Sequence, residues 1–198
     1  MQIETLNHCH ALAEKGWMFQ SEDSETTEEE YLYLLYALIF ALKPASVLET
    51  GSYTGHGSVY IARALRRNHQ GFLTTLETDP AVVPVARENL KVNDVSEWAE
   101  VIEDHSCEYL SETGRRFDFA FFDSLLPLRC KELQICLNRG LLKPGDMFAI
   151  HDTSKTRWLS PEVSDPSTSR YWEELESMKG IKWVQFPLSR GLTLGQVL

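Results

Sequence analysis

Residues 45–65, ASVLETGSYTGHGSVYIARAL, constrain the fold of this chain more than any other stretch. A short apolar run ends at Glu49, passes through a turn that contains Gly51, Gly55 and Gly57, and continues into an amphipathic helical pattern. Glycine allows turns that other residues avoid and lets the backbone approach a ligand closely. The stretch therefore predicts a strand, a ligand-binding turn and a helix, the unit from which nucleotide-binding α/β sheets are built.

A second apolar run, at residues 71–76, ends in another acid, Glu77. In nucleotide-binding α/β folds, the acid that follows the second strand accepts hydrogen bonds from a ribose diol. Since the carboxyl ends of neighbouring parallel strands meet at one edge of a sheet, we predict that Glu49 and Glu77 flank one cleft. The two carboxylates would then contact opposite portions of one nucleotide-like ligand.

The order of the glycines indicates which nucleotide is bound. A dinucleotide site uses G-x-G-x-x-G, so that a helix N-terminus can receive a pyrophosphate. This chain has E-x-G-x-x-x-G-x-G, and a carboxylate two residues before the first glycine would repel a diphosphate. The same carboxylate suits a ligand that carries an amine and a sulfonium.

In this pattern the chain resembles the class I S-adenosylmethionine-dependent methyltransferases, and in particular the small catechol-type O-methyltransferases and their bacterial relatives. The matching residues are Val47, Leu48, Glu49, Gly51, Tyr53, Gly55 and Ser58. The resemblance covers roughly residues 25–198. It implies a Rossmann-like methyltransferase fold and S-adenosyl-L-methionine as the methyl donor.

Strand and helix patterns alternate along the chain. Strands are predicted at residues 46–49, 72–77, 99–103, 117–122, 147–150, 182–188 and 192–198, and helices at residues 27–42, 57–67, 80–93, 128–142 and 171–178. The helix at residues 80–93 is expected to open with Pro80 in its first position, and residues 160–169 are expected to form a surface loop. Only Ser189, Arg190 and Gly191 join the last two strands, which suits an antiparallel pair. We predict an α/β fold with a doubly wound, mostly parallel seven-stranded sheet and a C-terminal antiparallel hairpin.

Composition narrows the class of protein. A chain of 198 residues with 43% hydrophobic content predicts a single domain over residues 1–198, with residues 1–26 as an N-terminal extension or cap. The net charge of −10 disfavours a nucleic-acid partner and favours a small-molecule substrate. Four cysteines without a C-x-x-C pair, no secretory leader pattern and an apolar stretch of only about twelve residues predict a cytoplasmic protein without a membrane partner. A homodimer is compatible with the sequence.

The predicted donor site follows from the rule that ligands of such sheets lie beyond the carboxyl ends of the strands. The candidate donor-binding residues are Glu49, Gly51, Ser52, Tyr53, Gly55, Ser58, Glu77, Asp104, His105, Ser106 and Asp123. Glu49 and the glycine turn are expected at the methionine portion, and Glu77 at the ribose. By the resemblance, residues 104–106 border the adenine.

Asp123, His151 and Asp152 are the candidate catalytic residues at the acceptor end. In the resembled enzymes, an aspartate after strand four and two residues after strand five bind Mg²⁺, which lowers the pKa of a substrate hydroxyl. Histidine suits Mn²⁺ better than Mg²⁺, so Asp123 and Asp152 are the favoured ligands of a divalent ion, Mg²⁺ or Mn²⁺. His151 is alternatively a general base or a residue that ties down the adjacent loop.

One segment departs from the resembled enzymes. Leu125, Leu126 and Pro127 stand where those enzymes have a lysine, or a histidine and a tyrosine, and this disfavours catechol-like acceptors. The predicted function is methyl transfer from S-adenosylmethionine to a small molecule, at a hydroxyl oxygen. The alternatives are a non-catalytic protein that binds S-adenosylmethionine and, less favoured by the glycine order and the hairpin, a nicotinamide-dependent oxidoreductase.

Overall fold

The computed structural model describes residues 27–153, 166–186 and 190–198. The predicted extension at residues 1–26, residues 160–165 of the predicted loop and residues 187–189 of the predicted hairpin lie outside these ranges. The strands are β1 (Ser46–Thr50), β2 (Phe72–Glu77), β3 (Ala99–Glu103), β4 (Phe119–Phe122), β5 (Met147–His151), β6 (Ile181–Phe186) and β7 (Leu192–Val197). The helices are α1 (Glu29–Leu42), α2 (His56–Asn68), α3 (Val83–Val92), α4 (Ser106–Glu112), α5 (Leu126–Arg139) and α6 (Pro166–Ser177).

The strands form one seven-stranded sheet in the order β3-β2-β1-β4-β5-β7-β6. β1 to β5 pair in parallel, whereas β7 is antiparallel to both β5 and β6. The fold class predicted from the sequence is therefore confirmed. The order reverses between β1 and β4, and in open α/β sheets such a reversal opens a ligand-binding crevice at the carboxyl ends of the strands.

Alternate side chains of the central strands enter two separate hydrophobic cores. Val47, Phe119 and Phe121 pack with α1, α2 and α3, whereas Leu48 and Phe122 pack with α5 and α6 on the opposite face. All five side chains are fully buried. Because both faces of the strands are covered, the apolar runs in the sequence are nearly continuous.

The start of α3 was predicted incorrectly. The helix begins at Val83, and the preceding residues form a turn in which the amides of Val82 and Val83 donate to the carbonyl of Asp79 at 3.0 and 3.1 Å. The Asp79 side chain also accepts from the amide of Ala81 at 2.8 Å. An aspartate that bonds its own following backbone favours a turn over a helix, so Pro84 rather than Pro80 lies in the first helical turn.

Other helices also differ from the sequence prediction, and α5 runs over Leu126–Arg139 where residues 128–142 were predicted. The short helix α4 was not predicted, since seven residues carry too little periodicity to stand out. α6 begins at Pro166, so residues 166–169 of the predicted loop are helical. Among the described helices, none combines the length and the apolar character needed to cross a bilayer.

The C-terminal hairpin is seated on the sheet through a close contact at Gly195. This residue of β7 lies opposite Phe148 of β5, whose side chain is fully buried. A Cβ atom at position 195 would overlap the Phe148 ring. The hairpin can therefore approach β5 only because Gly195 has no side chain.

We expect Gly195→Ala to lower the free energy of unfolding by about 1–3 kcal/mol, the usual cost of overpacking a core. Urea unfolding followed by circular dichroism measures the difference. Gly114→Ala is the control, because a Cβ atom there meets nothing within 4 Å. Equal stability of the two variants would contradict the proposed contact.

Candidate active site

A cavity of about 700 Å³ opens at the carboxyl ends of β1, β2, β3 and β4. Its volume lies in the usual range for small-molecule sites, about 300–1,000 Å³. The predicted site residues that line it are Glu49, Gly51, Ser52, Tyr53, Glu77, Asp104, His105, Ser106, Asp123 and Asp152. The other three predicted residues, Gly55, Ser58 and His151, are not part of its wall.

The turn after β1 is held against two neighbouring strands. The amides of Gly51 and Ser52 donate to the carbonyl of Leu76 at 2.9 and 3.0 Å, which fixes the turn on β2. Gly51 has a φ of +81°, and a Cβ atom there would lie 2.5 Å from the carbonyl oxygen of Asp123. Glycine is thus required both for the backbone conformation and for the close approach to the end of β4.

Glu49 is a buried carboxylate on the cavity wall, 1% exposed. Its Oε2 accepts hydrogen bonds from the hydroxyls of Ser58 and Thr75, the latter at 2.6 Å. Burial raises the pKa of Glu49 to about 7, because the two hydroxyls only partly offset the desolvation and the carboxylates of Asp123 and Glu77 raise it further. Near neutral pH this group is therefore divided between its protonated and ionised forms.

Glu77 lies at the other side of the cavity and is held by three backbone amides. Its Oε2 accepts from the amide of Tyr53 at 2.8 Å, and its Oε1 accepts from the amides of Thr78 and Asp79 at 2.8 and 3.0 Å. A carboxylate has about four acceptor positions, so it can accept further hydrogen bonds from a ligand. Because the amides fix its orientation, Glu77 suits recognition of two adjacent hydroxyls.

The part of the cavity that contains Glu49 and Glu77 is called the donor end. Its third side is formed by the residues after β3. The amide of Asp104 donates to the carbonyl of Glu77 at 3.0 Å, and the amide of His105 donates to the Asp104 side chain at 2.7 Å. Ser106 begins α4, and its hydroxyl donates to Glu132 of α5. These contacts place residues 104–106 beside Glu77.

Glu132 was not identified from the sequence. It is fully buried, accepts hydrogen bonds from Ser106 and from Thr50 at 2.9 Å, and has a pKa raised by burial. Its partners lie on β1 and α4, so this carboxyl group joins both elements to α5. It supports the wall of the cavity but does not line it.

At the acceptor end, Asp123 and His151 form the centre of a buried network. Asp123 Oδ1 lies 2.9 Å from His151 Nδ1 and 3.1 Å from Arg129 Nη2, and its Oδ2 accepts from the hydroxyl of Thr27 at 2.5 Å. The other ring nitrogen of His151, Nε2, lies 2.5 Å from Glu28 Oε2. His151 is 1% exposed, so its ring is enclosed between two carboxylates.

The two central groups shift each other's ionisation. Burial alone would lower the pKa of His151, but the carboxylates of Asp123 and Glu28 raise it to a net value above the usual range. Burial alone would raise the pKa of Asp123, but His151 and Arg129 lower it below the usual range. Contacts at both nitrogens fit a doubly protonated imidazolium that donates to both carboxylates, and such a ring has no lone pair with which to accept a proton.

Arg129 joins the ends of β4 and β5. Its guanidinium donates to the carbonyl of Ser124 at 2.7 Å, to the carbonyl of His151 and to the carboxylate of Asp123. The side chain is only 6% exposed. All of these contacts are charge-assisted, and they fix the two strand ends relative to α5.

Arg190 holds the last acid of the acceptor end. Its Nε and Nη2 lie 3.3 and 3.2 Å from the two carboxylate oxygens of Asp152, and its backbone amide donates to Glu28 at 3.0 Å. Asp152 has a φ of +62°, in the left-handed region that aspartate tolerates better than most residues. The turn before β7 is thereby joined to the end of β5.

The residues at this end do not fit a divalent metal. The described part of the chain contains no group of three or more His, Cys, Asp or Glu side chains arranged to hold one. Both oxygens of Asp123 and both oxygens of Asp152 already have partners. The guanidinium groups of Arg129 and Arg190 and the His151 ring stand beside these carboxylates, where they would repel a cation.

The sequence signals for the missed residues differ in strength. Arg129 and Glu132 share the buried helical face of Leu133 and Cys136, and charged residues in an apolar stripe could have been recognised as buried. Glu28 and Arg190 are 162 positions apart, and no local pattern connects them.

We expect Arg129→Met to lower the free energy of unfolding by about 3–5 kcal/mol, because Asp123 would remain buried without its guanidinium partner. Urea unfolding gives the value. Arg170→Met is the control, since Arg170 is exposed and its ion-pair partner in the described part of the chain is Glu174 of the same helix, at 2.7 Å. Its loss should cost less than about 0.5 kcal/mol. A comparable loss in both variants would contradict a structural role of the Arg129 network.

Comparison with known proteins agrees with this geometry. The chain is 24% identical over 158 residues to catechol O-methyltransferase B of Danio rerio, covering 77% of this chain and 55% of that protein. It is 28% identical over 143 residues to the catechol O-methyltransferase of Niastella koreensis, covering 70% of this chain and 61% of that protein. This chain thus spans less than two thirds of the length of either relative. The SAH-bound methyltransferase PaMTH1 of Podospora anserina shares the fold, with a TM-score of 0.78 at 18% identity over 87% of this chain and 80% of that one.

A family model described as "Methyltransferase domain" matches residues 48–153. This match runs from β1 through the glycine turn and the ends of β2, β3 and β4 to the turn after β5, which is more than half of the chain. It includes Glu49, Glu77, Asp123 and Asp152, whereas Glu28 precedes it. The chain therefore belongs to the methyltransferase domain family.

Proposed function

We propose that this chain transfers a methyl group from S-adenosylmethionine to a hydroxyl oxygen of a small molecule. The observation that carries the proposal is the position of Glu49 and Glu77 on one cavity, with the glycine turn between them. Bound S-adenosylmethionine supplies an electrophilic methyl group on a sulfonium. The names of the two O-methyltransferase relatives support oxygen as the acceptor atom.

The residues of the donor end fit this ligand. Glu77, held by three amides, would accept hydrogen bonds from the ribose hydroxyls. Gly57, in the first turn of α2, leaves space beside Glu49, since a Cβ atom at this position would lie 2.6 Å from Glu49 Oε1. Glu49 would face the positively charged methionine portion, and residues 104–106 the adenine.

At the acceptor end we assign His151 a positioning role. Its two nitrogens are engaged by Asp123 and Glu28, so it would hold Asp123 at the cavity wall rather than take a proton from the substrate. Leu125, Leu126 and Leu128 also line the cavity and supply apolar surface against the acceptor. Holding two reactants in line can lower a barrier by about 7–11 kcal/mol, so positioning is the main contribution expected of the protein.

We further propose that the reaction proceeds without a divalent ion at Asp123 and Asp152. Three cationic side chains, those of Arg129, His151 and Arg190, already neutralise the carboxylates of this end. Each carboxylate oxygen of the two acids already has a hydrogen-bond partner in the protein and would have to lose it to bind a metal ion.

The experiment that tests the function is transfer of a radiolabelled methyl group from S-adenosylmethionine to a panel of phenols, hydroxy acids and sugars. Labelled product from any member supports the proposal. Binding of the donor without transfer to any acceptor would favour the alternative of a non-catalytic binding protein. Absence of donor binding would overturn the proposal.

Glu77→Gln should weaken binding of S-adenosylmethionine by about 10- to 100-fold, because the variant loses a charged acceptor of two hydrogen bonds. Isothermal titration calorimetry measures the affinity. Glu103→Gln is the matched control: Glu103 pairs with Glu77 in register on the neighbouring strand and does not line the cavity. The ribose assignment is wrong if the two variants bind the donor equally well.

The metal proposal predicts that Mn²⁺ added to the purified protein stays in solution. Electron paramagnetic resonance should show the undiminished signal of hexaaquo Mn²⁺, and EDTA should leave methyl transfer unchanged. Stoichiometric uptake of Mn²⁺ that disappears in Asp123→Asn would contradict the proposal.

A further inference from the structure

The carboxylates at the donor and acceptor ends of the cavity differ in whether they have cationic partners. Each carboxylate of the acceptor end contacts a cationic side chain, as Asp123 contacts Arg129 and Asp152 contacts Arg190. Glu49, by contrast, forms no ion pair with any described residue, although it is only 1% exposed. Its hydrogen-bond partners are the neutral hydroxyls of Ser58 and Thr75.

Both hydroxyls bind the same oxygen of Glu49, Oε2. The other oxygen, Oε1, faces Gly57, which also lines the cavity. The side chains of Leu32 and Phe121 lie beside this position, so α1 and β4 present apolar surface there. A positive charge that compensates an ionised Glu49 would therefore have to come from a ligand bound in the cavity.

The charged and titratable groups around Glu49 add negative charge near its carboxyl group. β2 contributes Glu77 and the turn after β4 contributes Asp123, and both negative charges disfavour ionisation of Glu49. α2 contributes His56, which lines the same cavity and packs edge-on against Tyr60 at 5.5 Å between ring centroids. A cation that enters the cavity would meet a carboxyl group that is protonated in part and that forms no ion pair with the described part of the chain.

We propose that Glu49 discriminates the methyl donor from the demethylated product by releasing a proton only when the donor binds. The inference rests on the proposed function, and it deepens that function by adding a role for the charge of Glu49. S-adenosylmethionine and S-adenosylhomocysteine share an amino-acid ammonium and carboxylate, whose charges cancel, and only S-adenosylmethionine carries the sulfonium as an additional positive charge. When the donor binds, the carboxyl O–H of Glu49 breaks, the proton passes to solvent buffer, and the carboxylate remains paired with the cation. When the product binds, the proton stays on Glu49.

The sign of the pH dependence follows from linkage. Because burial raises the pKa of Glu49 to about 7, the free protein holds this proton below that pH and loses it above. Donor affinity should therefore rise by up to about tenfold per pH unit on the acid side of 7 and level off on the alkaline side. Product affinity should change by less than about twofold over the same range.

Calorimetric titration of the whole chain tests the inference. S-adenosylmethionine and S-adenosylhomocysteine are titrated at pH about 7 in phosphate and in Tris, whose different ionisation enthalpies reveal the number of protons released. We expect release of about half a proton with the donor and none with the product. Equal proton release with both ligands would overturn the inference while leaving the proposed function intact.

Glu49→Gln identifies the group responsible, because glutamine keeps the size of the side chain and can still accept from Ser58 and Thr75. The variant should bind both ligands without proton release and without the pH-dependent difference between them. The control Glu103→Gln should behave as the unsubstituted chain. Proton release that persists in Glu49→Gln would assign it to another group and overturn the inference. If neither ligand binds the unsubstituted chain, the proposed function fails, and this inference fails with it.

A second readout needs no ligand. The raised pKa of Glu49 means that the folded chain holds a proton that the unfolded chain has lost, so stability from this group falls as pH rises from about 4.5 to about 7. The melting temperature of the unsubstituted chain should therefore fall relative to that of Glu49→Gln over this range. A constant difference between the two would contradict the ionisation assigned to Glu49.

Discussion

The parallel pairing of β1 with β4 is the constraint on which the site depends. These strands are neighbours in the sheet although about 70 residues separate them in the chain. Their pairing brings the glycine turn to the carbonyl of Asp123, with so little space that Gly51 cannot carry a Cβ atom. The donor end and the acceptor end of the cavity meet at this contact. Any shift of one strand past the other would separate them.

The two ends of the cavity differ in their net charge. At the acceptor end, the carboxylates of Glu28, Asp123 and Asp152 are balanced by one imidazolium and two guanidinium groups. At the donor end, Glu49 and Glu77 have only neutral hydrogen-bond donors among the described residues. The first end is neutral before any ligand arrives, whereas the second remains negative. A cationic ligand is therefore attracted to the donor end of the cavity more strongly than to the acceptor end.

Side chains from separate elements meet at the acceptor end. Asp123 follows β4, His151 occupies the end of β5, and Arg129 reaches both strands from α5. A buried imidazolium and guanidinium hold the strand ends together by charge-assisted hydrogen bonds, which a metal ion would do by coordination. In the proposed reaction without a divalent ion, this network would organise the acceptor end.

Local patterns in the sequence were enough to predict the sheet, because each strand is a short apolar run that ends at a polar residue and each central strand is buried on both faces. The positions of Glu49 and Glu77 followed from the same logic, since strand ends in a parallel sheet share one edge. The helix boundary at Asp79 was predicted wrongly because the Asp79 side chain bonds the following backbone and forms a turn, where the periodicity alone suggested a helix.

The sequence by itself determined the fold class, the glycine turn and the placement of Glu49 and Glu77 at one edge of the sheet, because these depend on contacts between adjacent strands and on the periodicity of a few neighbouring residues. Only the tertiary structure decided what surrounds Asp123 and Asp152. Glu28, Arg129 and Arg190 come from three distant segments, and each becomes a partner of these acids only when the sheet is complete. Electrostatic energy depends on distance in space and on burial, and neither quantity can be read from separation along the chain.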